Sequence, residues 1–191
     1  STAQKSFIEQ LKAQYSFEDI KELIDVLKDT KVLVIGETIV DQYVFCEALG
    51  KSGKEPVLVL RDLETEQYAG GAAAIARHLA DFCDNVTLLS MLGGNGDFEE
   101  FICENLPENV MPIFLYKSGS PTIIKRRYVD HINKSKVLGV YSINDDTLSG
   151  EDETKFSEML NELIAKHDLV IVSDYGHGMI SKSSAKFISE N

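Results

Sequence analysis

Three short apolar runs restrict this chain more than any other feature. Residues 32–36 (Val-Leu-Val-Ile-Gly), 86–90 (Val-Thr-Leu-Leu-Ser) and 169–173 (Leu-Val-Ile-Val-Ser) each rise out of polar sequence and stop at a glycine or serine. Near-continuous hydrophobicity over so few residues marks a strand buried on both faces. Between and after them lie segments with helical character: 72–82, about 98–105, 151–166 and about 182–190. In the third, Phe156, Leu160, Leu163 and Ile164 fall on one side. Buried strands alternating with helices predict a doubly wound, Rossmann-like α/β fold with a mainly parallel sheet.

Two strand-rich stretches interrupt that alternation. Tyr43-Val-Phe45 and Pro56-Val-Leu-Val-Leu60 flank the turn-like residues 50–55, which predicts a β-ribbon apart from the main sheet. Residues 111–116, 122–129 and 136–141 are also strand-like, so lid strands are expected within 42–68 and 112–143. Residues 1–30 read as a helical extension. Phe7, Ile8, Leu11 and Tyr15, then Ile20, Leu23, Ile24 and Leu27, recur at helical spacing, and Ser16 stands where the second segment needs an N-cap. Residues 31–191 form the domain proper.

Charge narrows the partners. With 19 Lys and Arg against 31 Asp and Glu, the net charge is −12. Such a chain repels nucleic-acid backbones and anionic membranes, so neither is an expected partner. Only Lys125-Arg126-Arg127 offers dense positive charge. The three cysteines, Cys46, Cys83 and Cys103, lack CxxC spacing, and the four histidines lie far apart, so no metal site is expected. No apolar run approaches the ~20 residues of a membrane helix, and the polar start is not a secretory signal. A cytoplasmic protein with free thiols is expected.

In an open α/β sheet, ligands sit beyond the carboxyl ends of the strands. Those ends carry Glu37 and Asp41, Leu92-Gly-Gly94, and Asp174-Tyr-Gly176. Gly70 and Gly71 directly precede the alanine-rich helix, so a ligand can approach the backbone and the free N–H groups of the first helical turn. Carboxylates accept hydrogen bonds from sugar hydroxyls and glycines leave room for the ring. A dinucleotide- or flavin-binding domain is a weaker alternative, because Gly-x-Gly-x-x-Gly is missing after the first strand.

Lys31 to Asp41, read with Gly70-Gly-Ala-Ala-Ala74, resembles the substrate half of the ribokinase-type (PfkB-type) carbohydrate kinases. Pro121-Thr-Ile-Ile-Lys125 and Ser173-Asp-Tyr-Gly-His-Gly178 are similar to the heptose-phosphate kinase branch of that family, and Gly93 matches the glycine after its next strand. The resemblance covers about residues 31 to 185, the N-terminal half of such a kinase. It implies a ribokinase-like sheet, incomplete here, with a small β-sheet lid. It also implies that Glu37, Asp41, Gly70, Gly71, Lys125 and Asp174 bind a sugar or sugar-phosphate, and that relatives pair as homodimers through their lid strands. Arg126 and Arg127 are taken as edge charges and His177 as a loop residue. The family's Gly-Ala-Gly-Asp segment, with the catalytic base and anion hole, is not among these residues. No catalytic residue is therefore expected in this chain, which alone is predicted inactive; ATP and Mg²⁺ belong to the full-length parent. Four positions depart from the pattern. Ala74 stands for the usual Asn, Glu37 for an Asp, His177 for a Lys, and Gly139 and Tyr141 replace a basic and an acidic residue. These departures motivate an alternative: a kinase-derived binding or dimerisation module without catalysis, scaffolding a fused nucleotidyltransferase.

Overall fold

The computed structural model describes residues 2–191. Two helices come first, α1 (Thr2–Gln14) and α2 (Phe17–Val26), followed by a 3₁₀ turn at Leu27–Asp29. Ser16 caps α2 as its sequence predicts: its hydroxyl accepts from Asp19 N–H while the Asp19 carboxylate accepts from Ser16 N–H. Neither helix buries a residue, so the extension stands outside the core. Ser1, the first residue of the predicted extension, lies outside the described residues.

The core is a parallel sheet of β1 (Lys31–Lys51), β3 (Asn85–Gly93), β4 (Val110–Lys117) and β7 (Leu169–Ser173), in the order β4-β3-β1-β7. Alternate side chains of β1 feed two separate cores, which is why its sequence is apolar throughout. Val32 and Val34 pack with Ala72, Ala73 and Ala76 of α3 (Ala72–Leu79) and Ile102 of α4 (Glu99–Glu104). Leu33 and Ile35 pack with Phe156, Leu160 and Leu163 of α5 (Gly150–Ile164), with Phe187 of α6 (Lys182–Glu190) at the margin. The fold is α/β and doubly wound, with an open sheet.

The lid has the order β2-β1-β5-β6, built from β2 (Leu58–Gly71), β5 (Ile124–Asp130) and β6 (Lys136–Ser142). It is not a ribbon set apart from the sheet, as residues 42–68 suggest. β1 runs unbroken from Lys31 to Lys51, so one strand is the centre of the main sheet and then a central strand of the lid. Nor is all of 112–143 lid. Residues 110–117 pair in parallel with β3 at the edge of the main sheet. The chain leaves it at Ser118–Ile123, where Pro121 has no ladder donor to give.

Candidate functional site

The core strand order places the topological switch point between β1 and β7, since the chain builds outward to β4 and then returns to the other side of β1. Glu37 and Asp174 stand at that crevice, and neither is poised as an open ligand. Glu37 is fully buried. Its carboxylate accepts the backbone N–H groups of Tyr175 (2.9 Å), His177 (3.1 Å) and Met179 (3.2 Å). Both oxygens are used, so Glu37 latches the loop after β7 rather than holding a sugar. Asp174 is exposed and accepts Gly176 N–H at 2.8 Å, a local turn bond.

Beneath the same loop lies a group the sequence reading missed. Lys117, at the end of β4, is buried, and its ammonium donates to the carbonyls of Asn144 (2.7 Å), Asp146 (2.5 Å) and His177 (3.3 Å). Burial lowers its pKa, and the nearby carboxylates of Asp146, Asp145, Glu37 and Asp152 offset part of that. His177 is no loop ornament: its buried ring reaches Asp145 Oδ1 at 2.7 Å through Nδ1. Loops 144–146 and 174–179 are thus tied together by charged side chains bonded to backbone.

Asp41, Gly70, Gly71 and Lys125 do come together, where β1 passes from sheet to lid. Asp41 pairs with Tyr68 on one side and Lys125 on the other. Paired positions share a face, and alternation adds Tyr43 and Arg127 to it. A Cβ at Gly70 would stand 2.5 Å from Asp41 Oδ2, so the glycine makes room for that oxygen. Gly71 has φ +62°, and a Cβ there would strike the Glu37 carbonyl. It precedes α3 directly, and no side chain caps that helix, so its first-turn N–H groups stay available. Ala74 sits in that turn.

The cation at Asp41 is Arg127, not Lys125. Arg127 Nη1 donates to Asp41 Oδ1, with the two side chains 18% and 25% exposed. This hydrogen bond, more than any other contact, raises the Arg127 pKa. The edge-charge reading of Arg127 is corrected on that geometry. Arg126 turns to the opposite face, where its Nε donates to Gln42 Oε1 at 2.8 Å. Strand parity was the usable signal, because residues 125 and 127 share a face and 126 does not. Lys125 is half-buried and has no ion-pair or hydrogen-bond partner among the described residues. The site offers a carboxylate, two cations and free backbone N–H groups around one opening. That set accepts protons from hydroxyls and donates to oxyanions. Among the described residues no three His, Cys, Asp or Glu side chains converge to hold a metal ion, so these residues do not form a magnesium–nucleotide site. No helix of the described residues is long and apolar enough to cross a membrane.

No protein-family model matches the chain. It is 29% identical over 160 residues to the bifunctional protein HldE of Campylobacter jejuni, covering 84% of this chain and 33% of that protein. It is 28% identical over 152 residues to the D-beta-D-heptose 7-phosphate kinase of Bordetella bronchiseptica, covering 80% and 47%. The chain therefore spans between a third and a half of the length of these curated relatives. Among solved structures it is similar to a Thermotoga maritima protein described as a possible 1-phosphofructokinase. The TM-score there is 0.59 at 16% identity, over 83% of this chain and 49% of that one, and the likeness is one of fold.

Proposed function

We propose, for a chain that matches the N-terminal half of the ribokinase-type carbohydrate kinases and within them the heptose-phosphate branch, the acceptor-binding role in an ATP-dependent carbohydrate kinase. The observation that carries this reading is the convergence of Asp41, Gly70, Gly71 and Lys125 at the junction of sheet and lid, beside the uncapped start of α3. Asp41 accepts a sugar hydroxyl through Oδ2, Gly70 leaves space for it, and Lys125 and Arg127 supply positive charge on a strongly acidic chain. ATP with Mg²⁺ supplies the phosphoryl group when bound; this chain's residues orient the acceptor. The reading includes a cytoplasmic enzyme and a homodimer through the lid, which the exposed Leu49, Leu58, Leu63, Leu138 and Val140 support. The named relatives carry kinase or bifunctional-enzyme names, which lends no support to a non-catalytic module.

The test is phosphorylation of a panel of sugars and sugar-phosphates by the protein containing this chain, with titration calorimetry beside it. Losing one charged hydrogen-bond partner weakens sugar binding roughly 10–100-fold, so Asp41→Ala is expected to lower acceptor affinity by that factor. Equal acceptor binding by wild type and Asp41→Ala removes Asp41 from the site. Absence of phosphoryl transfer to any acceptor in the panel overturns the kinase reading.

A further inference from the structure

The positions at which the chain departs from its relatives build a device around Arg127. Arg127 faces Gly139 across the β5–β6 ladder, and Lys125 faces Tyr141. A Cβ on Gly139 would meet the Tyr141 hydroxyl at 3.2 Å and its ring carbons at 3.3 Å. The ring therefore folds back over the glycine, into space any side chain would fill. From there it covers one side of Arg127, with the guanidinium carbon 5.8 Å from the Tyr141 ring centroid and 5.5 Å from that of Tyr43. Such contacts between a cation and aromatic rings are attractive. Tyr43 is braced edge-on by Tyr68 at 6.0 Å, and Tyr68 donates to Glu66 at 2.6 Å. Asp41 holds one edge of the guanidinium.

A guanidinium fixed on two faces and one edge still has donors to spare. Nη1 serves Asp41 and, at 3.4 Å, the Lys125 carbonyl. Nε and Nη2 have no partner among the described residues, and neither has Asp41 Oδ2 nor the Lys125 ammonium. With Oδ1 occupied, Asp41 has one free oxygen for a hydroxyl instead of two for a diol. Beside it stand donors only, and their geometry suits a planar or tetrahedral oxyanion. The charges of Asp41, Arg127 and Lys125 leave one positive charge uncompensated.

We propose that Arg127, positioned by Gly139, Tyr141 and Tyr43, is the specificity-determining residue of the acceptor site, selecting a sugar that bears an oxyanion next to the hydroxyl held by Asp41. This rests on the acceptor-site reading above. A carboxylate and a phosphate share the required chemistry.

Titration calorimetry without nucleotide tests it, with gluconate, glucose 6-phosphate and glucose as probes. Arg127→Met, which keeps the length and apolar stem, is expected to lose roughly 10–100-fold in affinity for the two acidic probes, while glucose changes less than about 3-fold. Arg127→Lys restores part of the loss, since an ammonium lacks the fork. Tyr141→Ala falls between wild type and Arg127→Met. Tighter binding of gluconate assigns a carboxylate and tighter binding of glucose 6-phosphate a phosphate; either supports the proposal. An equal loss for acidic and neutral probes overturns it and leaves Arg127 a structural role, as does the absence of binding by every probe. Oxyanion selection without phosphoryl transfer from ATP means the kinase reading has failed and the selection stands. Transfer to neutral sugars with Arg127→Met unchanged means the reverse.

Discussion

Glu37 and Asp41 stand on the same strand, four residues apart, and meet opposite fates. Glu37 lies in the half of β1 that belongs to the main sheet, with its charge spent on backbone N–H groups of a distant loop. Lys117 does the same with carbonyls at the end of a nearby strand. Asp41 lies in the lid half, paired with Arg127, and both keep hydrogen-bonding capacity in reserve. Full burial forces a charge to be satisfied within the fold, so the charge becomes structure. Partial exposure leaves some of its valence for a ligand. Floor charges should therefore govern stability and lid charges should govern binding.

The sharpest way to break that division is Glu37→Ala. It leaves the N–H groups of Tyr175, His177 and Met179 without their acceptor in a buried loop. Each unsatisfied buried donor costs ~1–3 kcal/mol, so a loss of ~3 kcal/mol or more is expected in urea denaturation. A loss below ~1 kcal/mol would show that water replaces the carboxylate and that Glu37 is no latch. Acceptor affinity in the folded fraction should stay near wild type, since Glu37 does not open onto the Asp41 face.

Gly71→Ala tests the junction between the two regions. The residue has φ +62° and ψ −137°, a region that side chains with a Cβ avoid, and the added carbon meets the Glu37 carbonyl. Backbone strain of this kind costs ~1–3 kcal/mol. The expected outcome is a loss in that range together with weaker acceptor binding, because relief of the clash shifts the start of α3 away from Asp41. A stability loss with unaltered binding would place the start of α3 outside the site.

How much of this was legible in the sequence follows from the range of each interaction. The buried strands showed in their continuous apolar runs, and the Ser16 cap showed because Asp19 is three residues away. The Asp41–Gly70 proximity followed from motif resemblance. The role of Glu37 did not, since its partners are loop N–H groups 138 to 142 residues later in the chain. Lys117 looked like an ordinary lysine before a Ser-Gly-Ser turn; only the convergence of loops 144–146 and 174–179 buries it. Arg127 lay within reach, because alternation alone puts it on the Asp41 face. The clamp around it needs the β5–β6 register, which a single sequence does not specify. The membership of residues 110–117 in the main sheet was hidden for a similar reason: an edge strand and a lid strand share one pattern.

The smallest expected effect concerns Lys117 and appears as a slope with pH. Burial lowers its pKa in the folded protein from the ordinary 10.5, while in the unfolded chain it titrates normally. Between those two values the unfolded state binds more protons than the folded state, so stability rises with pH across that interval. Below the interval the penalty of burying the charge is constant; above 10.5 it is gone. Tyrosines and exposed lysines titrate in the same range, so the informative quantity is wild type minus Lys117→Met. In that difference the shared titrations cancel and only the Lys117 contribution survives. Wild type should gain on the variant as pH climbs toward 10.5, by at most ~1.4 kcal/mol per pH unit for a single proton. Urea denaturation from neutral to alkaline pH measures it. A flat difference would mean that the three carbonyls and the surrounding carboxylates fully compensate the burial of the ammonium. A difference falling with pH would mean that they overcompensate it, making Lys117 a net stabiliser in its charged form. The same scan on Arg127→Met should be flat, because a guanidinium keeps its proton throughout. That flatness is what separates a lid charge from one embedded in the floor.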